Sequence, residues 1–156
     1  MSLLAYFLTW HTYGTWLHGD ERGSVNKIQN IPGTPLVPAN PDVVATMGAR
    51  MKHTSFVLDE AMQQVVSGAI RDHATIRRWS IVALNVRSNH VHVIVRPPTK
   101  HTPEAVMQQF KSWGTQRLIR AGFATSETRV WVGHGSTRYI DSQESLKKAV
   151  EYVENE

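Results

Sequence analysis

"SIVALNVRSNHVHVIVRPP", Ser80 to Pro98, is the stretch on which the fold turns. "SIVALNV" (Ser80–Val86) is rich in apolar and β-branched residues, which suit a half-buried pleated surface. "RSN" supplies a turn, and His90–Arg96 reads as the returning strand, so the spacing predicts a β-hairpin. Pro97 and Pro98 end it, because proline has no N–H to donate to a ladder. Side chains alternate along a strand. Val91, Val93 and Val95 therefore share one face, and His90, His92, Ile94 and Arg96 share the other. The valine face suits a helix layer, which leaves the histidine face as the expected open side of the sheet. Two imidazoles two residues apart can bind one metal ion or hold one phosphate. Taken alone, a His-x-His is more often two half-exposed histidines bonded to water or backbone than a metal site.

Outward from the hairpin, the periodicity changes from two to about 3.6. Upstream, Asp59 is placed to cap a helix running to about Arg77, with Met62, Val65, Val66, Ala69, Ile70 and His73 at helical spacing. Downstream, Thr102-Pro103-Glu104 is a helix start with proline at the first helical position. That helix runs to about Ala121, with Val106, Phe110, Trp113 and Leu118 inward, and Gly122 stops it. Leu3–Thr9 reads as a strand, extendable to Trp16. "RVWVG" (Arg129–Gly133) is a short strand and "TRYI" (Thr137–Ile140) a further candidate. Asp141, with Glu144 three residues on, has the spacing of a capped helix start. The last helix buries Leu146, Ala149, Val150 and Val153. Between about 18 and 55 the chain turns polar, with "HGDERGSVN" and "IPGTPLVPANPD", and reads as an insertion.

The order β-α-β-β-α-β-α predicts an α+β fold: a ferredoxin-like, split βαβ antiparallel sheet with helices on one face plus a C-terminal helix. The 156 residues fit one domain, 1–156, and 41% hydrophobic residues suffice for its core. The chain has no cysteine, which excludes disulfides and thiolate chemistry and fits a reducing cytoplasm. No apolar run is long enough for a membrane span, and the apolar N-terminus lacks the basic leader of a signal peptide. Seventeen Lys+Arg against 13 Asp+Glu give a net charge of +4, a mild tilt toward a polyanionic partner.

The last helix ends "EYVENE", which sets Tyr152 and Glu156 at i and i+4, on one helical face. A tyrosine beside a carboxylate that can ligate metal makes a nucleophile with its electrophilic support. A cation on His90, His92 and Glu156 can polarise a phosphate that the Tyr152 oxygen attacks. A phenol has a pKa of about 10 and needs such help near neutral pH. Tyr139 is the rival nucleophile, but it has no carboxylate at helical spacing. His11 and His18, in "WHTYGTWLHGD", show no tight ligand spacing.

The stretches "SNHVHVIV", "VMQQFKSWGTQRL" and "AVEYVENE" resemble the small HUH (His-hydrophobe-His) single-tyrosine transposases of the IS200/IS605 type, including their REP-associated relatives. The resemblance covers nearly the whole chain in element order. It implies Tyr152 as nucleophile and His90 and His92 as ligands of Mg²⁺ or Mn²⁺. Glu156 stands where the family usually has Gln, and glutamate is the stronger ligand for a hard cation. The implied reaction is transesterification on single-stranded DNA beside an imperfect hairpin. It leaves a 5′-phosphotyrosine and a free 3′-hydroxyl, and a second strand then rejoins. No nucleotide cofactor is needed, and no Gly-x-x-x-x-Gly-Lys-Ser/Thr loop is present.

Arg87, Arg96, Lys111, Arg117 and Arg120 are candidate DNA contacts. So are Arg129, Arg138 and Lys148, the last also at ion-pair spacing from Glu144. Trp10, Trp16, Trp113 and Trp131 are candidate platforms for unpaired bases. In the insertion-sequence branch two chains form a homodimer and the tyrosine helix acts in trans; the REP-associated branch can act as monomers. Both arrangements stay open here. Two other readings also stand: a catalytically inactive, domesticated hairpin-binding protein, and an unrelated metal-dependent phosphodiesterase that uses water.

Overall fold

The computed structural model describes residues 3–14, 55–96 and 100–156. The polar insertion of about 18–55 lies, but for its last residue, outside them, as do Trp16, Pro97 and Pro98. The elements are β1 (Ala5–Thr12), α1 (Glu60–Arg77), β2 (Ser80–Val86), β3 (His90–Arg96), α2 (Pro103–Arg120), β4 (Trp131–Ile140) and α3 (Gln143–Asn155). The strands form one sheet in the order β2-β3-β1-β4, every neighbouring pair antiparallel. This is the expected α+β, ferredoxin-like arrangement.

Local chemistry sets the helix ends. The Asp59 carboxylate accepts from Met62 N at 2.9 Å and starts α1. Thr102 Oγ1 accepts from Ala105 N at 3.1 Å ahead of Pro103, starting α2. Gly122, with φ 87°, follows the end of α2 and takes the left-handed turn that glycine allows. The start of α3 corrects one expectation. Its cap is Ser142, whose Oγ accepts from Ser145 N at 3.1 Å, and not Asp141.

A second correction concerns β4. The end of "RVWVG", from Trp131, and "TRYI" belong to one strand, continuous through Gly133 and Gly135. Glycine weakens strand propensity, which is why the sequence reads as broken there. Close approach is the reason for it: a Cβ at Gly135 would run into the Thr9 carbonyl and come within 2.9 Å of the Met107 sulfur.

The core divides by face. Tyr6, Leu8 and Trp10 of β1 and Val91, Val93 and Val95 of β3 pack under α1 and α2, against Val66, Ile70, Phe110 and Leu118. Each buried valine contributes about 1.5–3 kcal/mol by leaving water. The opposite face is not open as expected. Ala5, Ala83, Ile94 and Ile140 pack there against Leu146 and Val153 of α3, so the last helix crosses the histidine side. The apolar stripe of α3 needs a partner, and those residues, with Phe7 and Val82 beside them, supply it.

Candidate active site

The β2–β3 turn is closed by Arg87 N donating to His90 O at 2.8 Å. Pairing then places Thr9 opposite His92, and His11 opposite His90. Phe7, Thr9, His11, His90 and His92 face a cleft of about 870 Å³ between the sheet and α3. From β4 come Ser136 and Arg138; from α3 come Ser145, Lys148 and Tyr152, with Glu156 at its C-cap.

The expected constellation is gathered at one end of this cleft. His90 Nε2 and His92 Nε2 lie 2.9 and 2.6 Å from the same Glu156 oxygen, Oε1. Tyr152 Oη is 3.4 Å from the other carboxylate oxygen. The Tyr152 ring lies 5.4 Å from the His92 ring, and Phe7 lines the floor beneath both. Tyr152 is 56% exposed, which leaves its oxygen reachable by a substrate. Tyr139 is exposed too and lines the same cleft, but its ring packs edge-on to Tyr6, its partner across β1–β4, at 5.5 Å.

Electrostatics here favour a set of acceptors. His92 is only 6% exposed, and burial holds its pKa below the usual imidazole value, against the pull of Glu156. Partial burial pushes the Glu156 carboxyl upward, but hydrogen bonding and charge from His90 and His92 outweigh it, and its pKa falls below the ordinary value. The two directions together favour a neutral imidazole beside an ionised carboxylate, the protonation states that metal ligation requires. The three ligand atoms lie within 4.8 Å of one another, so two nitrogens and an oxygen can share one cation. The donor set fits a divalent ion.

Two residues on the hairpin hold α3 in place. Asn85 Nδ2 donates to Val153 O at 2.9 Å, and Arg87 Nη1 donates to the main-chain oxygen of Glu156 at 2.6 Å. They occupy carbonyls that the end of a helix leaves without intrahelical partners. Arg87, expected on DNA, is thus engaged at the C-terminal end of the tyrosine helix.

The other expected contacts separate. Arg138 and Lys148 line the cleft and are exposed. Arg96 is exposed at the end of β3. Arg117 lies on the helix layer, paired with Asp72 at 2.9 Å and over the Trp113 ring. Arg120 is exposed in the last turn of α2 and Arg129 sits over the Tyr13 ring; neither lines the cleft. Lys111 is a correction. It is 4% exposed, its ammonium donates to Val132 O at 3.0 Å and to His134 O at 3.4 Å, and burial lowers its pKa. It faces no solvent in which to meet a phosphate. Trp10 is likewise fully buried, and Trp131 donates its indole N–H to Lys111 O. Trp113 is half-buried, its ring 4.9 Å from that of His73.

Thr9, Phe7, Asn85 and Asn89 are site residues that reading the sequence missed. Alternation along β1 groups Phe7, Thr9 and His11, but only the pairing with β3 shows that this group meets the histidines.

A family model described as "Transposase IS200 like" matches residues 45–156. The fold is similar to the structure of a REP-associated tyrosine transposase bound to a REP hairpin (13% identity, TM-score 0.57), over 98% of this chain and 67% of that one. It is also similar to a crystal structure of a candidate transposase from Deinococcus radiodurans R1 (17% identity, TM-score 0.53), over 99% and 92%. At such identities the likeness is one of fold. No curated protein sequence matches the chain. Among the described residues no helix is long and apolar enough to cross a membrane.

Proposed function

Since the chain belongs to the IS200-like transposase family, we propose that it cleaves and rejoins single-stranded DNA at hairpin-flanked sites, with Tyr152 as nucleophile. The observation that carries this is the convergence of Tyr152, Glu156, His90 and His92 in one cleft from two elements far apart in the chain.

Tyr152 Oη attacks the scissile phosphorus and forms an O–P bond. The 3′-oxygen leaves and takes up a proton, giving a 5′-phosphotyrosine and a free 3′-hydroxyl. In the second step the 3′-hydroxyl of another strand attacks the same phosphorus. The phenolic oxygen is released and the DNA is rejoined without a nucleotide cofactor. The ionised Glu156 beside Tyr152 Oη can accept the phenol proton. His90, His92 and Glu156 would hold Mg²⁺ or Mn²⁺, which supplies the positive charge that polarises the phosphate and offsets developing negative charge. Arg138 and Lys148 neutralise flanking phosphates on the cleft walls.

The REP hairpin in the similar structure supports hairpin DNA as the ligand. The hold of Asn85 and Arg87 on α3 supports a site completed by the chain's own tyrosine, in place of a homodimer with the helix in trans. Family membership supports action on DNA in the cytoplasm. Incubating the protein with a hairpin oligonucleotide and Mn²⁺, then resolving covalent adducts on a denaturing gel, tests the reading. Tyr152→Phe should abolish the adduct and leave hairpin binding nearly intact; an adduct persisting in that variant would overturn the assignment.

A further inference from the structure

His90 and His92 each use two nitrogens, and only one side of each ring faces Glu156. His90 Nδ1 lies 2.7 Å from Asn89 Oδ1, and His92 Nδ1 lies 2.8 Å from Thr9 Oγ1. Both partners are held by the backbone. Thr9 is the cross-strand partner of His92. Asn89 sits in the hairpin turn, where its carbonyl accepts from Thr12 N at 3.0 Å. The two ring centroids are 4.7 Å apart with the planes at 68°, and a ring without such an anchor can turn about its Cβ–Cγ bond.

We propose that Asn89 and Thr9 are positioning residues that accept the Nδ1–H of His90 and of His92. This commits both Nε2 lone pairs to the cleft and to one divalent cation. The inference rests on the metal reading above and adds two residues to it. A neutral imidazole carries one proton, so a hydrogen bond that retains it on Nδ1 leaves Nε2 as the ligand atom. Partners of this kind also fix ring orientation and raise ligand basicity. The two positions are not equivalent. Thr9 serves the buried ring, whose Nδ1 cannot turn to water for a substitute, so its hydroxyl matters more. Asn89 serves the half-exposed ring, where water can partly replace the amide.

The test is the affinity of the purified full chain for Mn²⁺, read from the electron-paramagnetic signal of the free ion, beside the melting temperature without added metal. Thr9→Val and Asn89→Leu should each weaken Mn²⁺ binding by about 10–100-fold, Thr9→Val the more. Thr9→Ser and Asn89→Asp retain an acceptor and should restore binding to near the wild-type level. A merely structural hydroxyl or amide would move the melting temperature and leave the affinity alone. If Thr9→Val folds poorly, Asn89→Leu, in the turn, decides the question. Unchanged Mn²⁺ affinity in the folded Leu and Val variants would overturn this assignment. So would failure of the Ser and Asp variants to rescue. A wild-type chain that binds no Mn²⁺ would instead overturn the metal reading on which it stands.

Discussion

Val91, Val93 and Val95 are sealed under α1 and α2, while His90 and His92, alternating with them on the same strand, face a cleft under α3. The first face is closed by two helices whose apolar stripes interlock with the sheet around Trp10 and Phe110. The second has one helix and a smaller apolar contact, centred on Ala5, Ala83, Ile94, Ile140, Leu146 and Val153, with Phe7, Val82, Ala149 and Val150 packed against it. Around that contact the cleft carries imidazole, hydroxyl, guanidinium, ammonium and carboxylate groups. Stability is therefore concentrated on one side of the sheet and chemistry on the other, and β3 serves both because its residues alternate.

That division can be broken by substitution. The largest effect should come from the cleft side. His92→Ala is expected to lower Mn²⁺-dependent strand cleavage by at least about 10²-fold, as loss of several kcal/mol of charge stabilisation would. Single-turnover cleavage of a hairpin oligonucleotide would measure it. Mixing that variant with Tyr152→Phe sharpens the comparison. If each chain completes its own site, the mixture should stay inactive; recovered cleavage would show that α3 acts across a dimer.

On the helix side, Val93→Ala should cost about 2 kcal/mol of stability in denaturant titration while leaving the Mn²⁺ affinity of the folded protein unchanged. Charge removal separates the faces again. Lys148→Ala and Arg138→Ala should each weaken hairpin binding and reduce its salt dependence by about one phosphate contact. Lys111→Met should leave both unchanged, because its ammonium is spent on Val132 and His134 carbonyls.

The smallest effect is a pH dependence seated in the helix layer. His73 is buried, with Nε2 2.7 Å from Gln109 Oε1 and its ring among Trp79, Phe110 and Trp113. Burial lowers its pKa, opposed by the Gln109 hydrogen bond and assisted by Arg77. The unfolded chain then takes up the proton first. The stability tied to neutral His73 is fully present above the unfolded value of about 6.5 and is lost as pH falls from there toward the depressed folded value. His73→Phe should flatten the thermal stability profile across that window.

Much of the fold was legible because its signals are local. Alternation made β2 and β3 a hairpin, Asp59 and Thr102-Pro103 announced helix starts, and Tyr152 and Glu156 stood one turn apart on α3. Two local signals were misleading. Ser142, not Asp141, caps α3, and the glycines of β4 carry a strand through where propensity suggested a break. The basic residues carry a weaker local signal: charge in a sequence does not reveal which face it serves. Lys111 falls on the buried stripe of α2 and Arg117 on the helix layer.

By itself, then, the sequence determined which residues share a face of each strand and helix, since those periods are properties of the backbone. It thereby determined the paired histidines, the tyrosine with its carboxylate, and the β-α-β-β-α-β-α order. Only the tertiary structure decided that α3 crosses the histidine face, that Asn85 and Arg87 hold its end there, and that Thr9 and Asn89 stand behind the two imidazoles. These depend on strand order and register, which join residues distant in the chain and leave no periodic mark within any one segment.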